Sequence, residues 1–346
     1  MSFSRLAKFA LAGAMLAAAP ITAQAQTDVE FSLDWAWQAM HGPFLLAVDR
    51  GYFADEGLNV TMDRGFGSGD TISKIAAGAY DIGFAEGTGL FKFNEENPAD
   101  AVVTVLVIND QSPTGVISLK DNDITSPADL PGKKISATQN AATVLAWPVF
   151  AKLNNLDPDS IEYVFVEPSL RDAMVIQGRA DATFGFSTTT VLNMIQAGVS
   201  PEDVTYFTLA QHGLRPYSSG IIVKKTFAEE NPEVVRGFVK AVVRGLQDML
   251  EDPEAGLALL KAQEPLIDLD VERGRWELAK ELSILTPSVI ERGISNLDEE
   301  RFETAGQQIS EAFGLDIDPQ IENYYDDSFL PPLEDRQISD AVKAAQ

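Results

Sequence analysis

The sequence contains no cysteine. That absence removes disulfides, thiolate nucleophiles, iron–sulfur clusters and Cys-ligated zinc together. Histidine is almost as scarce, with only His41 and His212, so a metal site would need carboxylates gathered by folding and none is expected. No stretch reaches the roughly 18 to 20 consecutive apolar residues that a membrane-spanning helix needs. Positive charge is short as well: 26 Lys and Arg stand against 52 Asp and Glu, a formal charge of −26. Such a chain repels a nucleic-acid backbone or an anionic membrane unless a local basic patch intervenes, and no basic cluster occurs. The acids are spread along the sequence and not gathered in blocks, so they read as solubility.

Catalytic signatures are missing too. There is no G-x-S-x-G elbow, no H-E-x-x-H pair and no P-loop; Gly65-Phe66-Gly67-Ser68-Gly69 has neither the spacing nor the lysine of one. Pairs of carboxylates carry no glycosidase signal in a chain with 52 acids. Neither an enzyme nor a cofactor is indicated.

What is present begins with an address. Arg5 and Lys8 precede an apolar run from Phe9 to Ala19, and Ala23-Gln24-Ala25 then offers the small-x-small pattern that signal peptidase accepts. Residues 1–25 therefore read as a cleaved signal peptide, and export without an anchor implies periplasm or secretion. The remaining chain, in a sequence of 346 residues that is 45% hydrophobic, is long enough for two folded units.

Its elements alternate. Strand Val29–Leu33, a helix from about Pro43 to Gly51, strand Asn59–Met62, a helix to Gly78 and strand Asp81–Ala85 form a β-α-β-α-β series. The order recurs with strand Lys134–Ala137, helix Ala141–Asn154, strand Tyr163–Val166, a helix to Gly178 and strand Asp181–Gly185. Gly78, Asp81 and Phe84 match Gly178, Asp181 and Phe184 at a constant offset of one hundred positions. The fold class is α/β: two lobes, each a mostly parallel sheet flanked by helices. Residues 26–112 plus 219–346 form lobe one, and 113–218 form lobe two. After Ser219 the pattern becomes helical, with starts at Asn231-Pro232, Asp252-Pro253, Asp270 and Asp298. This extension is expected to pack on lobe one. The chain must then cross between lobes near 109–115 and near 213–220, and a double crossing makes a hinge.

Ligands of parallel sheets sit beyond the carboxyl ends of strands. That rule selects 34–41, 67–70 and 86–88 from lobe one, with 138–140, 167–169 and 186–188 from lobe two. Trp35 and Trp37 are expected to face the cleft from one side by strand alternation, with Gln38 and His41 beyond them. Ser68, Gly69 and Asp70 open a helix whose N–H groups suit an anion, or serve as an ordinary cap. Glu86, followed by Gly87 and Thr88, is expected to select a nitrogen-bearing partner. Gln139, Asn140, Glu167, Phe186 and Ser187 complete the opposing rim.

Several of these residues carry a family resemblance. Leu33-Asp34-Trp35, His41, Ala47, Gly51-Tyr52-Phe53, Glu56-Gly57-Leu58 and Ala77-Gly78 with Asp81 resemble the thiamine-pyrimidine-precursor, sulfonate, nitrate and taurine group of ABC-transporter solute-binding proteins. Leu130-Pro131-Gly132-Lys133, Gly178 with Asp181-Ala182, and Asn231-Pro232-Glu233 extend the likeness. The resemblance implies a type II periplasmic binding protein, monomeric, that closes on a small solute and delivers it to a membrane permease and its ATPase. It carries over Trp35 as the platform on which a pyrimidine precursor stacks. A sulfonate or taurine would instead use the Ser68-Gly69 helix start, and a periplasmic enzyme of similar fold, consuming what it binds, is the alternative of another class.

Overall fold

The computed structural model describes residues 26–345; the expected signal peptide, 1–25, lies outside them. Ten strands follow in chain order: β1 (Thr27–Ser32), β2 (Leu58–Asp63), β3 (Ile82–Glu86), β4 (Val102–Val107), β5 (Thr114–Leu119), β6 (Lys134–Ala137), β7 (Glu162–Phe165), β8 (Ala182–Phe186), β9 (Val204–Thr208) and β10 (Ser219–Lys224). They form two five-stranded sheets, ordered β2-β1-β3-β10-β4 and β7-β6-β8-β5-β9. Within each, four strands run in one direction, and one strand enters antiparallel from beside a lobe crossing: β10 between β3 and β4 in the first sheet, β5 between β8 and β9 in the second. This is the two-lobed fold of periplasmic binding proteins.

The hundred-residue repeat has a physical cause. Gly78 and Gly178 both take positive φ, 70° and 66°, turning the chain out of the helices Ser68–Ala76 and Pro168–Ile176 in a conformation that glycine adopts at least cost. Three residues later Asp81 and Asp181 do one job twice. Each donates its own N–H to a carbonyl of the neighbouring strand, Glu30 or Lys134, and accepts that residue's N–H on Oδ2, at 2.9 Å and 2.7 Å. An aspartate that closes such a ring fixes the register of the strand next to it.

The helical third departs from expectation. Helix Pro232–Glu251 lies on Gly42–Asp49 in lobe one, with Phe238 edge-on to Phe31; each fully buried side chain of this size contributes roughly 1.5 to 3 kcal/mol. Helix Glu299–Phe313, however, packs on Ala142–Leu153 of lobe two as well as on Thr88–Glu96 of lobe one. Its apolar stripe, with Phe302 and Ile309, shares a core with Trp147, Phe150 and Phe91, so one amphipathic face is covered by both lobes. Helix Leu269–Ala279 likewise reaches Ser187–Gln196. It starts before Asp270, because Asp268 is the cap, accepting the N–H groups of Asp270 and Val271. The C-terminal third therefore straps the lobes together.

The two crossings run side by side. Ser218 donates its N–H to the Asn109 carbonyl and Asn109 donates its own to Ser219, both at 3.0 Å. Arg301, from the strapping helix, binds the Asp110 carboxylate at 3.2 Å and also the carbonyls of Arg215 and Pro216, while its guanidinium lies 4.0 Å from the Tyr217 ring centroid. One side chain holds both connections.

Candidate functional site

Between the lobes lies a cleft lined by Asp34, Trp35, Gln38, Gly67 and Ser68 from lobe one and by Ala141, Ala142, Thr143, Arg171, Gly185, Phe186 and Thr189 from lobe two. The walls touch: Thr189 Oγ1 donates to Gln38 Oε1 at 3.0 Å, and the Gly69 N–H reaches the Asn140 carbonyl at 3.1 Å.

The chain leaves β1 at Ser32 and bends at once, so strand alternation does not apply to residues 33–41. Trp35 faces the cleft, with the Arg171 guanidinium 5.3 Å from its ring centroid. Trp37 turns away and packs on the lobe-one core, edge-on to His41 at 5.8 Å. His41 is wholly buried. Its Nδ1 accepts the Gln38 N–H at 3.3 Å, so that nitrogen carries no proton and Nε2 is the donor to Asp34 Oδ1, also at 3.3 Å. Both ring nitrogens are therefore used, and His41 acts by holding the Asp34 carboxylate at the cleft wall.

Other expected residues are placed differently. Ser68 lines the cleft, but its hydroxyl accepts the Glu86 N–H at 3.0 Å. With the Gly69 N–H taken by Asn140, the helix start intended for an anion is closed by the opposite lobe. Asp70 pairs with Lys74 at 2.7 Å. Glu86 is buried and turned from the cleft, its two oxygens accepting the Thr88 N–H and hydroxyl at 2.9 Å and 2.5 Å; Gly87 and Thr88 serve that turn. Gln139, Asn140 and Glu167 stand at or near the opposing rim, where all three are exposed, and Asn140 contributes its backbone carbonyl to Gly69. Phe186 lines the cleft, whereas Ser187 is buried and donates to the Pro113 carbonyl at 3.2 Å.

Sequence reasoning passed over Arg171. An Arg-Asp pair in the first turns of a helix reads as a solvated surface pair, yet Arg171 is buried. Nε binds Asp172 Oδ1 at 2.8 Å and Nη2 binds Thr190 Oγ1 at 2.7 Å, leaving Nη1 without a hydrogen bond among the described residues. Gly185 makes room for it, since a Cβ there would stand 2.4 Å from Thr190 Oγ1 and 3.0 Å from the guanidinium carbon. Behind it runs a buried chain: Asn193 links Asp172 at 2.7 Å to Arg275 at 3.0 Å, Arg275 pairs with Glu272 at 3.1 Å, and Glu272 accepts the Ala39 N–H at 2.7 Å. Arg275 also donates to the Thr189 carbonyl at 2.9 Å. The cleft thus offers an aromatic face, a fixed acceptor and a fixed cation. Among the described residues no group of three or more His, Asp or Glu is placed to hold a metal, and no helix is long and apolar enough to cross a membrane.

Glu86 makes a prediction of its own. Burial pushes its carboxyl up to about 7 from 4.5, against the opposing pull of the Thr88 hydrogen bonds. The folded state then holds a proton that the unfolded state has released, so stability falls as pH rises from about 4.5 through 7, by up to about 3 kcal/mol. Glu86→Gln keeps the shape and an oxygen acceptor for Thr88. Melting curves between pH 4.5 and 8 should show that this variant loses most of the decline and exceeds the parent at pH 8; an unaltered slope would mean Glu86 does not titrate there.

A parallel sheet pair, double crossing and enclosed cleft define the solute-binding architecture, a class in which two lobes surround a small molecule. Within it, the chain belongs to the NMT1/THI5-like family, whose model matches residues 38–256. It is similar to the formylaminopyrimidine-binding protein of Halalkalibacterium halodurans, 28% identical over 68% of this chain and 71% of that one. It is also similar to the 4-amino-5-hydroxymethyl-2-methylpyrimidine phosphate synthase of Legionella pneumophila, 23% identical over 88% of this chain and 93% of that one. Among solved structures, the alkanesulfonate-binding protein of Xanthomonas axonopodis pv. citri, bound to MOPS, superposes with a TM-score of 0.62 at 15% identity, over 92% of this chain and 99% of that one.

Proposed function

We propose that the protein is an exported, monomeric solute-binding component of an ABC importer, and that its cleft closes on a small planar nitrogen heterocycle of the aminopyrimidine class. The observation that carries this reading is the juxtaposition of Trp35 with the adjacent Asp34 carboxylate, which His41 orients. An aromatic face takes the ring, and a buried acceptor is satisfied by an amino or ring N–H. This is the role that the sequence assigned to Glu86; Asp34 is better placed for it. The relative that binds a formylaminopyrimidine supports the same class. On this reading the partners are a membrane permease and its ATPase, and the working compartment is the periplasm.

Arg171 favours a second reading, in which Nη1 receives the oxygen of a sulfonate, taurine or nitrate. An enzymatic reading has less support. His41 has no free nitrogen to act as a base, and the chain has no cysteine. The test is to incubate the purified protein with 4-amino-5-hydroxymethyl-2-methylpyrimidine and weigh the recovered small molecule by mass spectrometry. Unchanged mass with one equivalent retained is expected; a new product would identify an enzyme.

A further inference from the structure

Behind the main cleft, at the hinge, a second chamber shares Asp34, Gln38 and Phe186 with it and extends to Asn109, Ser219 and Ser283. These last three come from separate segments. Asn109 stands on the first crossing, Ser219 opens β10 after the second, and Ser283 lies in a π-helical turn, Lys280–Ile284, of the C-terminal third. The turn is tied to the first crossing by the Gln111 N–H, which reaches the Ser283 carbonyl at 3.2 Å. π-Turns are uncommon and concentrate at functional sites.

All three side chains are more than nine-tenths buried, at 3%, 0% and 0% exposure. Asn109 Oδ1, Ser219 Oγ and Ser283 Oγ nevertheless have no hydrogen-bond partner among the described residues. A buried hydroxyl or amide oxygen without a partner is costly, and native proteins rarely leave one so, let alone three around one space. Packing does not explain them, since alanine would fill either serine position at no such cost.

We infer that this chamber is a subsite for a short, uncharged polar arm of the solute, a hydroxyl or carboxamide, which Asn109, Ser219 and Ser283 bind when the ring lies against Trp35. The groups offered are neutral donors and acceptors, matching an arm that both gives and accepts a hydrogen bond. The shared Asp34 carboxylate excludes a carboxylate or phosphate there by like-charge repulsion. Space of the order of one small polar group admits a hydroxymethyl but not a second ring. The subsite rests on the heterocycle reading for the ring on Trp35 and for the choice of probe.

The experiment has two arms. In the first, calorimetry compares 4-amino-5-hydroxymethyl-2-methylpyrimidine with 4-amino-2,5-dimethylpyrimidine, which lacks the hydroxyl. The parent should prefer the hydroxymethyl compound by roughly tenfold, and the double variant Ser219→Ala with Ser283→Ala should bind both alike, at the affinity the parent shows for the dimethyl compound. Equal affinities in the parent, or a preference that survives the double variant, would overturn the subsite and leave the chamber to an ordinary buried water. In the second arm, the melting temperature of the ligand-free double variant should equal or exceed the parent's, because groups kept for binding cost stability. A clear fall would make the serines structural and overturn the proposal without any ligand. If neither pyrimidine binds, the function proposed above fails, and the second arm decides the subsite alone.

Discussion

Alanine at position 35 is expected to weaken binding of an aminopyrimidine by roughly tenfold to a hundredfold, with little change in the melting temperature of the free protein. Stacking and apolar contact with an indole contribute on the order of 1 to 3 kcal/mol, which converts to that range. Trp35 is half-buried and its ring faces Arg171 across the cleft. The indole therefore supports a solute more than it supports the core. Calorimetry on parent and variant measures the loss directly. Affinity retained within twofold would remove Trp35 as the platform, whereas a large loss of stability would give it the packing role that Trp37 has.

The largest effect on stability is expected from Arg275→Ala. Arg275 and Glu272 are nearly buried, their side chains 4% and 7% exposed, and removing one member of such a pair leaves the other charge without compensation in a low-dielectric site. Disruptions of this kind cost roughly 3 to 5 kcal/mol. For a chain of this size that is on the order of 5 to 10 °C in melting temperature. The same guanidinium holds the Thr189 carbonyl and the Asn193 side chain, so solute affinity should fall as well. Replacing Arg275 and Glu272 together by leucine should recover much of the stability, because no charge is then stranded, but not the affinity. Thermal melts and calorimetry on the single and double variants check both halves; a single variant as stable as the parent would show that water already reaches Glu272.

The features legible in the sequence were those set by local chemistry. Glycines ending helices, Pro232 at a helix start and runs such as Lys134–Ala137 announce their elements by backbone preference and pattern, and the strand-end rule located the rims of the cleft. Asp34 stood inside one of those rims. What stayed hidden was set by tertiary partners. Nothing near Glu86 in the chain reveals that Thr88 will fold back on it, and nothing near Gly69 shows that the Asn140 carbonyl will close the helix start from another lobe. Trp37 was misplaced because alternation was carried past the end of β1. Arg171 was overlooked because its burial depends on Gly185, Thr190 and Asn193, all on later elements.

The central claim, that this cleft selects a nitrogen heterocycle over a simple anion, is tested most directly by titrating the parent protein in a calorimeter with an aminopyrimidine, taurine and an alkanesulfonate in turn. Saturable one-to-one binding of the aminopyrimidine, with no comparable heat from the other two, is the predicted result. Binding of the alkanesulfonate or taurine alone would contradict it and make Arg171, not Trp35 and Asp34, the residue around which the site is built.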